Sequence, residues 1–421
     1  MKILVMGMGY YPERTGIGPH TTELCEYLAA RGHRVTVATA FPHFPEWNVM
    51  KPYRGKLFAH EIINGVSVRR GYVYVPSKQT TRQQILYDSS FCASALLWGL
   101  AEREIDLILA VTPPLQLGVT AHVLSRVKRV PFVLVVQDLV PDAAIALGML
   151  KNPRAIRLAR TMERFVYSKA LTIVVICEGF VHSLRRKGVS GSKILLLPDW
   201  VDTTFIRPFP RNNSWREDHG FTEEQYIVLH AGNMGVKQGL DNVIEAANRL
   251  RNFDNLVFLI VGDGIEKASL CDKASRLDLE NVKLLTLQPK NALPQMLSAA
   301  DALLVNQRDS VVDICMPTKL LTYMAAGKPI IAAVHSDSET ARYIRSAGCG
   351  LVVPAERPHL LAEAVLASKD NRQMGTSLAR NGRAFAEEHF ERRKILRQYA
   401  ALLGGIVSKR PPRLCEKPVV G

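Results

Sequence analysis

Short apolar runs recur along the chain, separated by stretches with helical spacing. The first 200 residues hold KILVMGM, RVTVATA, VSVRRGYVYV, DLILAV, FVLVVQ, LTIVVI and KILLLP, with segments such as TTELCEYLAARG between them. Continuous apolar runs of this length fit strands buried on both faces, and their alternation with helices predicts a parallel sheet with crossover helices. After the polar stretch PRNNSWREDHGFTEEQ the alternation restarts with YIVLHAG, LVFLIVG, VKLLTL, ADALLVN, PIIAAV and GLVVP. The prediction is an α/β protein of two Rossmann-like, doubly wound domains. The first covers 1–205 and the second 206–390. A helix at about 391–406 is placed to pack back on the first domain. The tail, 407–421, is Pro-rich and basic and is expected to be disordered.

In such folds ligands sit at the carboxyl ends of the strands, so the strand-end residues carry the chemistry. The first strand runs into YYPERTGIGPH, where Gly16 and Gly18 flank Ile17. Glycines before a helix fit a phosphate cradle, and equally a tight turn. A dinucleotide site also needs an acid about 20 residues on. The second strand ends in Ala38, Thr39 and Ala40, which argues against NAD or FAD. The second half opens with HAGNMGVKQGL, which offers Asn233, Gly235, Lys237 and Gln238; VGDG brings Gly262. The stretch DICMPTKLLTYMAAGKPII adds Asp313, Lys319 and Thr322. Pro317 suits a first helical turn, which leaves Lys319 near the helix start. Glu339 also stands at a predicted helix start, as a ligand contact or as a charge complementing the helix dipole.

Composition narrows the class. The apolar fraction is 47% and mean hydropathy is +0.02, as in a soluble chain with a large core. No segment approaches the ~18 apolar residues of a membrane span. KILVMGM is too short for a signal peptide. Seven cysteines without a CxxC pair suggest reduced thiols and a cytoplasmic setting. Residues 1–200 carry 25 Lys/Arg against 14 Asp/Glu, while the remainder carries 29 against 25. A basic first half implies an anionic partner there, or merely solubility. Nucleic acid is disfavoured by a diffuse charge and the absence of a binding motif.

The first loop with RGHRVTV, the DWVD at 199–202, GNMGVKQG, VGDG and PTKLLTYMAAGKPI together resemble retaining glycosyltransferases of the GT-B fold. The nearest group is family 4, the bacterial polysaccharide (colanic-acid-type) transferases, and the likeness spans roughly residues 1–400. It implies a nucleotide-sugar donor, UDP-linked by default, on the C-terminal domain and an acceptor on the N-terminal one. It also implies that Gly16, Ile17 and Gly18 face the donor diphosphate. Two departures stand out. The family's Glu-x7-Glu positions are Ile314 and Thr322 here, and its basic pair near the diphosphate becomes Asn233 and Gln238, with Lys237 one place early. Lys319 is placed to supply the missing charge, and Thr322, Asp313 or Glu339 the missing sugar and ribose contacts.

Retention without an evident nucleophile suits a same-face reaction in which the leaving phosphate assists deprotonation of the acceptor. No Asp-x-Asp stands at a strand end, so no obligatory metal and no cofactor beyond the donor are expected. Asp138 and His20 are the candidates for orienting the acceptor; an N-cap and a structural histidine are the plainer readings. His43 lies on the same side. Arg154, Arg157 and Arg160, with Lys151 and Arg164, make one basic helical face, and residues 86–100 a largely apolar helix with Phe91, Leu97 and Trp98. Together they fit a lipid-linked saccharide acceptor at an anionic membrane surface, hence a peripheral protein on the inner face of the cytoplasmic membrane. A solvated face beside a core helix is the alternative. A nucleotide-sugar 2-epimerase of the same fold and an inactive membrane-attached scaffold are the competing functions.

Overall fold

The computed structural model describes residues 1–13, 16–77, 80–146, 148–312 and 317–408. Asp313, Ile314 and the tail from residue 409 on lie outside the described residues.

The chain divides into two units, each built on one sheet. Of the described residues, the first comprises Met1–Asp199 together with 395–408, and the second Trp200–Lys394. Hydrogen bonds explain why the division falls between Asp199 and Trp200, a few residues before 205. Asp199 accepts from Gln137 Nε2 (2.9 Å) within the first unit. Val201 N donates to Phe390 O (2.9 Å), and Arg392 N to Val201 O (3.1 Å), within the second. The last described helix, Arg392–Val407, contributes buried Tyr399, Leu402 and Leu403 to the first unit.

In the first unit the strands are β1 (Lys2–Met6), β2 (Arg34–Ala40), β3 (Phe58–Ile63), β4 (Val66–Gly71), β5 (Leu107–Thr112), β6 (Phe132–Val136), β7 (Thr172–Val175) and β8 (Ile194–Leu196). Their order is β3-β4-β2-β1-β5-β6-β7-β8. All neighbours are parallel except β3 and β4. In the second unit β9 (Tyr226–Ala231), β10 (Leu256–Val261), β11 (Val282–Leu285), β12 (Ala302–Asn306), β13 (Ile330–Val334) and β14 (Gly350–Pro354) form a wholly parallel sheet ordered β11-β10-β9-β12-β13-β14.

The central strands are buried on both faces because helices cover both sides. β5, β6, β10, β12 and β13 are buried at every residue. Each aliphatic side chain so placed contributes about 1.5–3 kcal/mol of transfer free energy. β3 is the exception. It lies antiparallel at the sheet edge, with Phe58 and Ile62 exposed. In both sheets the winding reverses beside the first strand, between β1 and β5 and between β9 and β12. A doubly wound fold opens its binding crevice at that switch point.

Candidate functional site

In the second unit two strand-end turns lie backbone against backbone. After β9, Gly232 N donates to Val261 O (2.8 Å) and Met234 N to Asp263 O (2.8 Å). Gly262 sits at φ +153°, and a Cβ there would lie 1.8 Å from Gly232 O. No other residue fits. The VGDG glycine therefore serves close packing of the two turns. Gly235 N donates to Gln238 Oε1 (3.2 Å), closing the short helical turn Val236–Gln238 that carries Lys237. The turn is tied from outside by Asn306 Nδ2, which donates to Gln238 O (2.7 Å) and Gly239 O (2.9 Å). Arg308 Nε donates to Val236 O (2.7 Å).

Lys319 lies in the first turn of helix Thr318–Ala326, which follows Pro317. Its Nζ is 3.0 Å from His230 Nε2 and 3.3 Å from where a Cβ on Gly232 would stand. Burial pushes Lys319 down to about 7, and among the described residues no carboxylate offsets its desolvation. Burial, and then the Lys319 charge, push the His230 imidazole well below its usual range. A neutral His230 thus accepts from the ammonium. Tyr323 fixes the helix to the end of β9: its hydroxyl accepts from Ala231 N (2.7 Å) and donates to Ala231 O (3.2 Å). The result is a half-buried cation beside a glycine turn and a helix start, an arrangement suited to a phosphate group. Thr322 is half-buried one turn along, and Asn233 is exposed at the rim of the turn. Glu339 is elsewhere engaged. It is 2% exposed at the start of helix Glu339–Ala347 and accepts from Arg342 Nε (3.0 Å).

In the first unit Gly16 takes φ +70°, as a tight turn requires, and Ile17 and Gly18 lead into helix Gly18–Ala30. His20 is half-buried in the first turn of that helix, and Asp138 is half-buried directly after β6. The loop itself is firmly held. Tyr11 N donates to Thr22 Oγ1 (2.9 Å), and the fully buried Arg70 donates from Nη2 to Tyr11 O (2.5 Å). Glu13 Oε1 accepts from His43 N (2.9 Å) and Phe44 N (3.0 Å). Burial pushes the Glu13 carboxyl up, against the pull of those amides. His43 Nδ1 donates to Phe41 O (2.7 Å), which leaves Nε2 to accept from the Tyr87 hydroxyl (2.7 Å). Next to Tyr87, burial pushes Asp88 up to about 6, although Gln84 and Gln116 both donate to it. Glu13, Tyr87 and Asp88 were not legible as site residues from the sequence. The only signal was an acid inside a glycine loop.

Helix Pro153–Lys169 is capped by Asn152, whose side chain accepts from Arg154 N (2.9 Å) and Ala155 N (3.3 Å). Its one acid, Glu163, turns inward and binds Lys187 Nζ (2.7 Å) and the Tyr167 hydroxyl (3.0 Å). The outward face keeps exposed Arg154, Arg157, Arg160 and Arg164, with Leu158 71% exposed among them. Pro153, Ile156, Arg157, Arg160 and Arg164 line a shallow groove of about 350 Å³. Two aromatics of helix Thr81–Ala101 face inward: Phe91 is fully buried, and Trp98 Nε1 donates to Arg70 O (3.0 Å). Ile85, Leu86, Leu97 and Leu100 are the large apolar residues left exposed on that helix. Among the described residues no helix is long and apolar enough to cross a membrane. No cluster of three His, Cys, Asp or Glu suited to a metal occurs among them either.

Residues 211–385 match the family described as glycosyl transferases group 1, and residues 15–200 match a glycosyl transferase 4-like domain. The chain is 32% identical over 411 residues to WcaI of Escherichia coli (strain K12), named as a colanic acid biosynthesis glycosyl transferase, covering 95% of this chain and 98% of that one. WbjE of Pseudomonas aeruginosa, named as a glycosyltransferase, is 28% identical over 66% of this chain and 69% of its own. Among solved structures, the sucrose-phosphate synthase of Thermosynechococcus elongatus superposes with a TM-score of 0.76 at 17% identity, covering 97% of this chain and 99% of that one. Anabaena HepE in complex with UDP and glucose gives 0.72 at 18% identity, over 96% and 99%. The common fold is GT-B.

Proposed function

The chain belongs to the group 1 glycosyl transferases, and from that premise we propose that it transfers a sugar from a UDP-linked donor to a lipid-linked saccharide, with retention, during assembly of a surface polysaccharide. The observation that carries the donor half is Lys319. It is a half-buried ammonium hydrogen-bonded to a neutral imidazole, set beside a glycine turn at a helix start. A leaving nucleoside diphosphate gains negative charge in the transition state, and a cation held in place for it lowers the barrier. HepE, of the same fold, holds UDP in its solved complex. Asn233, Gly235, Lys237 and Thr322 complete the donor set, and the leaving phosphate itself assists deprotonation of the acceptor. The exposed arginine row of the first unit supports an anionic acceptor or headgroup surface, with the protein peripheral at a membrane.

The test is a thermal-shift screen of the full chain against nucleotide sugars, because a ligand of the native state raises its stability. A UDP-sugar is expected to raise the midpoint more than other bases do, and to be consumed only once a saccharide acceptor is added. Consumption of donor without acceptor, to an epimer, would replace this reading with the 2-epimerase. Absence of any stabilising nucleotide would leave only the scaffold.

A further inference from the structure

The sheet of the second unit parts beside β9, and a tyrosine hydroxyl stands in the opening. β9 keeps β10 as its neighbour to its last residue, Ala231 beside Val261. Its ladder with β12 ends two residues earlier, at Leu229 beside Leu303, while β12 runs on along β13 to Asn306. In a parallel sheet successive residues turn their N–H and C=O to opposite neighbours. On the β10 side, Tyr226 N donates to Asn255 O (2.6 Å) and Gly232 N to Val261 O (2.8 Å); on the β12 side, Asp301 N donates to Ile227 O (2.8 Å). Ala231 has the parity of Ile227, so its N–H and C=O point toward β12, which has already left. Backbone groups released from a ladder need other partners. Both go to the Tyr323 hydroxyl, which accepts from Ala231 N (2.7 Å) and donates to Ala231 O (3.2 Å). One hydroxyl occupies the place of a strand.

Packing of the helix does not explain this hydroxyl, since a phenylalanine would fill the same volume. Tyr323 is 1% exposed, and burial pushes its hydroxyl up, so it stays protonated and able to donate. Leu320, Leu321 and Met324 of the same helix are buried. Arg383 Nη1 holds the far end of the helix by donating to Ala325 O (2.6 Å). What the hydroxyl adds is the height of the helix over the end of β9. Lys319 lies four residues before Tyr323, on the same helical face. Its Nζ meets the strand end on either side of Ala231: 3.0 Å from His230 Nε2, and 3.3 Å from where a Cβ on Gly232 would stand. The lysine and the hydroxyl therefore engage the same three residues.

We infer that Tyr323 is a positioning residue of the transfer: its hydroxyl replaces a strand at Ala231, keeps β9 and β12 apart there, and sets Lys319 against the glycine turn. This rests on the donor reading of Lys319 for its purpose, while the geometry is tested without any donor. A lysine on a helix is otherwise a flexible charge. Held in register with His230, it meets a diphosphate without reorganising, and that is how a fixed charge gains its effect.

The experiment compares wild type, Tyr323→Phe, Lys319→Met and the double variant, each as the full chain. The first readout is the NMR spectrum of the histidine ring nitrogens in the free protein, where His230 Nε2 reports whether Lys319 donates to it. Tyr323→Phe should move that resonance toward its position in Lys319→Met. The second readout is UDP affinity by calorimetry. Tyr323→Phe should weaken it by about fivefold or more in the wild-type background, and by less than about twofold in the Lys319→Met background, because residues that act through one contact are not additive. A merely structural tyrosine would give equal losses in both backgrounds. That result, or a His230 resonance unmoved by Tyr323→Phe, overturns the inference. If wild type binds no UDP, the donor reading fails, and the His230 resonance alone decides whether Tyr323 positions Lys319. If Tyr323→Phe does not fold, hydrogen exchange of the Ala231 amide in wild type decides: protection upholds the hydroxyl bridge, and exchange as fast as that of an open loop overturns it.

Discussion

Both units carry a glycine-bearing loop after the first strand of their sheet, at the switch point where the winding reverses, yet the two loops hold opposite charges. The loop after β1 holds a buried carboxylate, Glu13, which accepts from the amides of His43 and Phe44. The turn after β9 faces an ammonium, Lys319, beside a neutral imidazole. The fold supplies the place in both cases, and the side chains decide the ligand. A diphosphate suits the second. The glycines differ too. Gly262 is demanded by contact with Gly232 O, whereas Gly16 serves the turn of its own loop.

The largest expected effect breaks the second turn outright. Gly262→Ala puts a methyl group 1.8 Å from Gly232 O at a left-handed φ. Clash and strain together should cost about 4 kcal/mol, read as a fall in the unfolding midpoint with denaturant. An unchanged midpoint would show that the two turns are not packed as described. Next comes the first unit alone. Replacing Arg154, Arg157 and Arg160 with glutamate should remove about 1 kcal/mol of attraction per residue to an anionic surface. Wild type should float with anionic vesicles at low salt and detach at high salt, while the triple variant stays in the pellet and still binds UDP. Failure of wild type to float would make the arginine row an ordinary solvated face. Third, Lys319→Ala should lower turnover at least tenfold, or about 1.4 kcal/mol and more; an unaltered kcat/KM would deny the lysine its place. The smallest effect is that of Lys237→Ala, a loss below tenfold in the same assay, because Lys319 remains to hold the diphosphate.

Much of the architecture was legible because parallel strands announce themselves. Runs such as LILAV and LVFLIV are buried at every residue, so their sequences have no polar positions to blur them. FAHEII, the edge strand β3, went unread because its exposure alternates and its one partner, β4, runs antiparallel to it. Within the site, Lys319 was legible from its place after Pro317. His230 was not, although a histidine inside the apolar run YIVLHAG is out of pattern. Its meaning comes from Lys319, 89 residues away in the chain. Glu13 escaped for the same reason, since the amides of His43 and Phe44, 30 and 31 residues away, hold it. The apolar spacing of residues 86–100 fits lipid or core alike, and the structure buries Phe91 while leaving Trp98 half-buried, because spacing alone does not say which face of a helix the core takes.

The central claim, that a nucleoside diphosphate binds against Lys319, is tested most directly by calorimetric titration of UDP into wild type and Lys319→Met. The titrations are run at pH 7.5 in two buffers of different ionisation enthalpy. With its pKa pushed down to about 7, Lys319 is only partly charged in the free protein at that pH. An adjoining diphosphate favours the charged form and raises that pKa, so binding takes up protons. Affinity should therefore weaken as pH rises above about 7. The account predicts this uptake in wild type, its loss in Lys319→Met, and weaker binding in that variant. Equal proton uptake and equal affinity in the two proteins would contradict it.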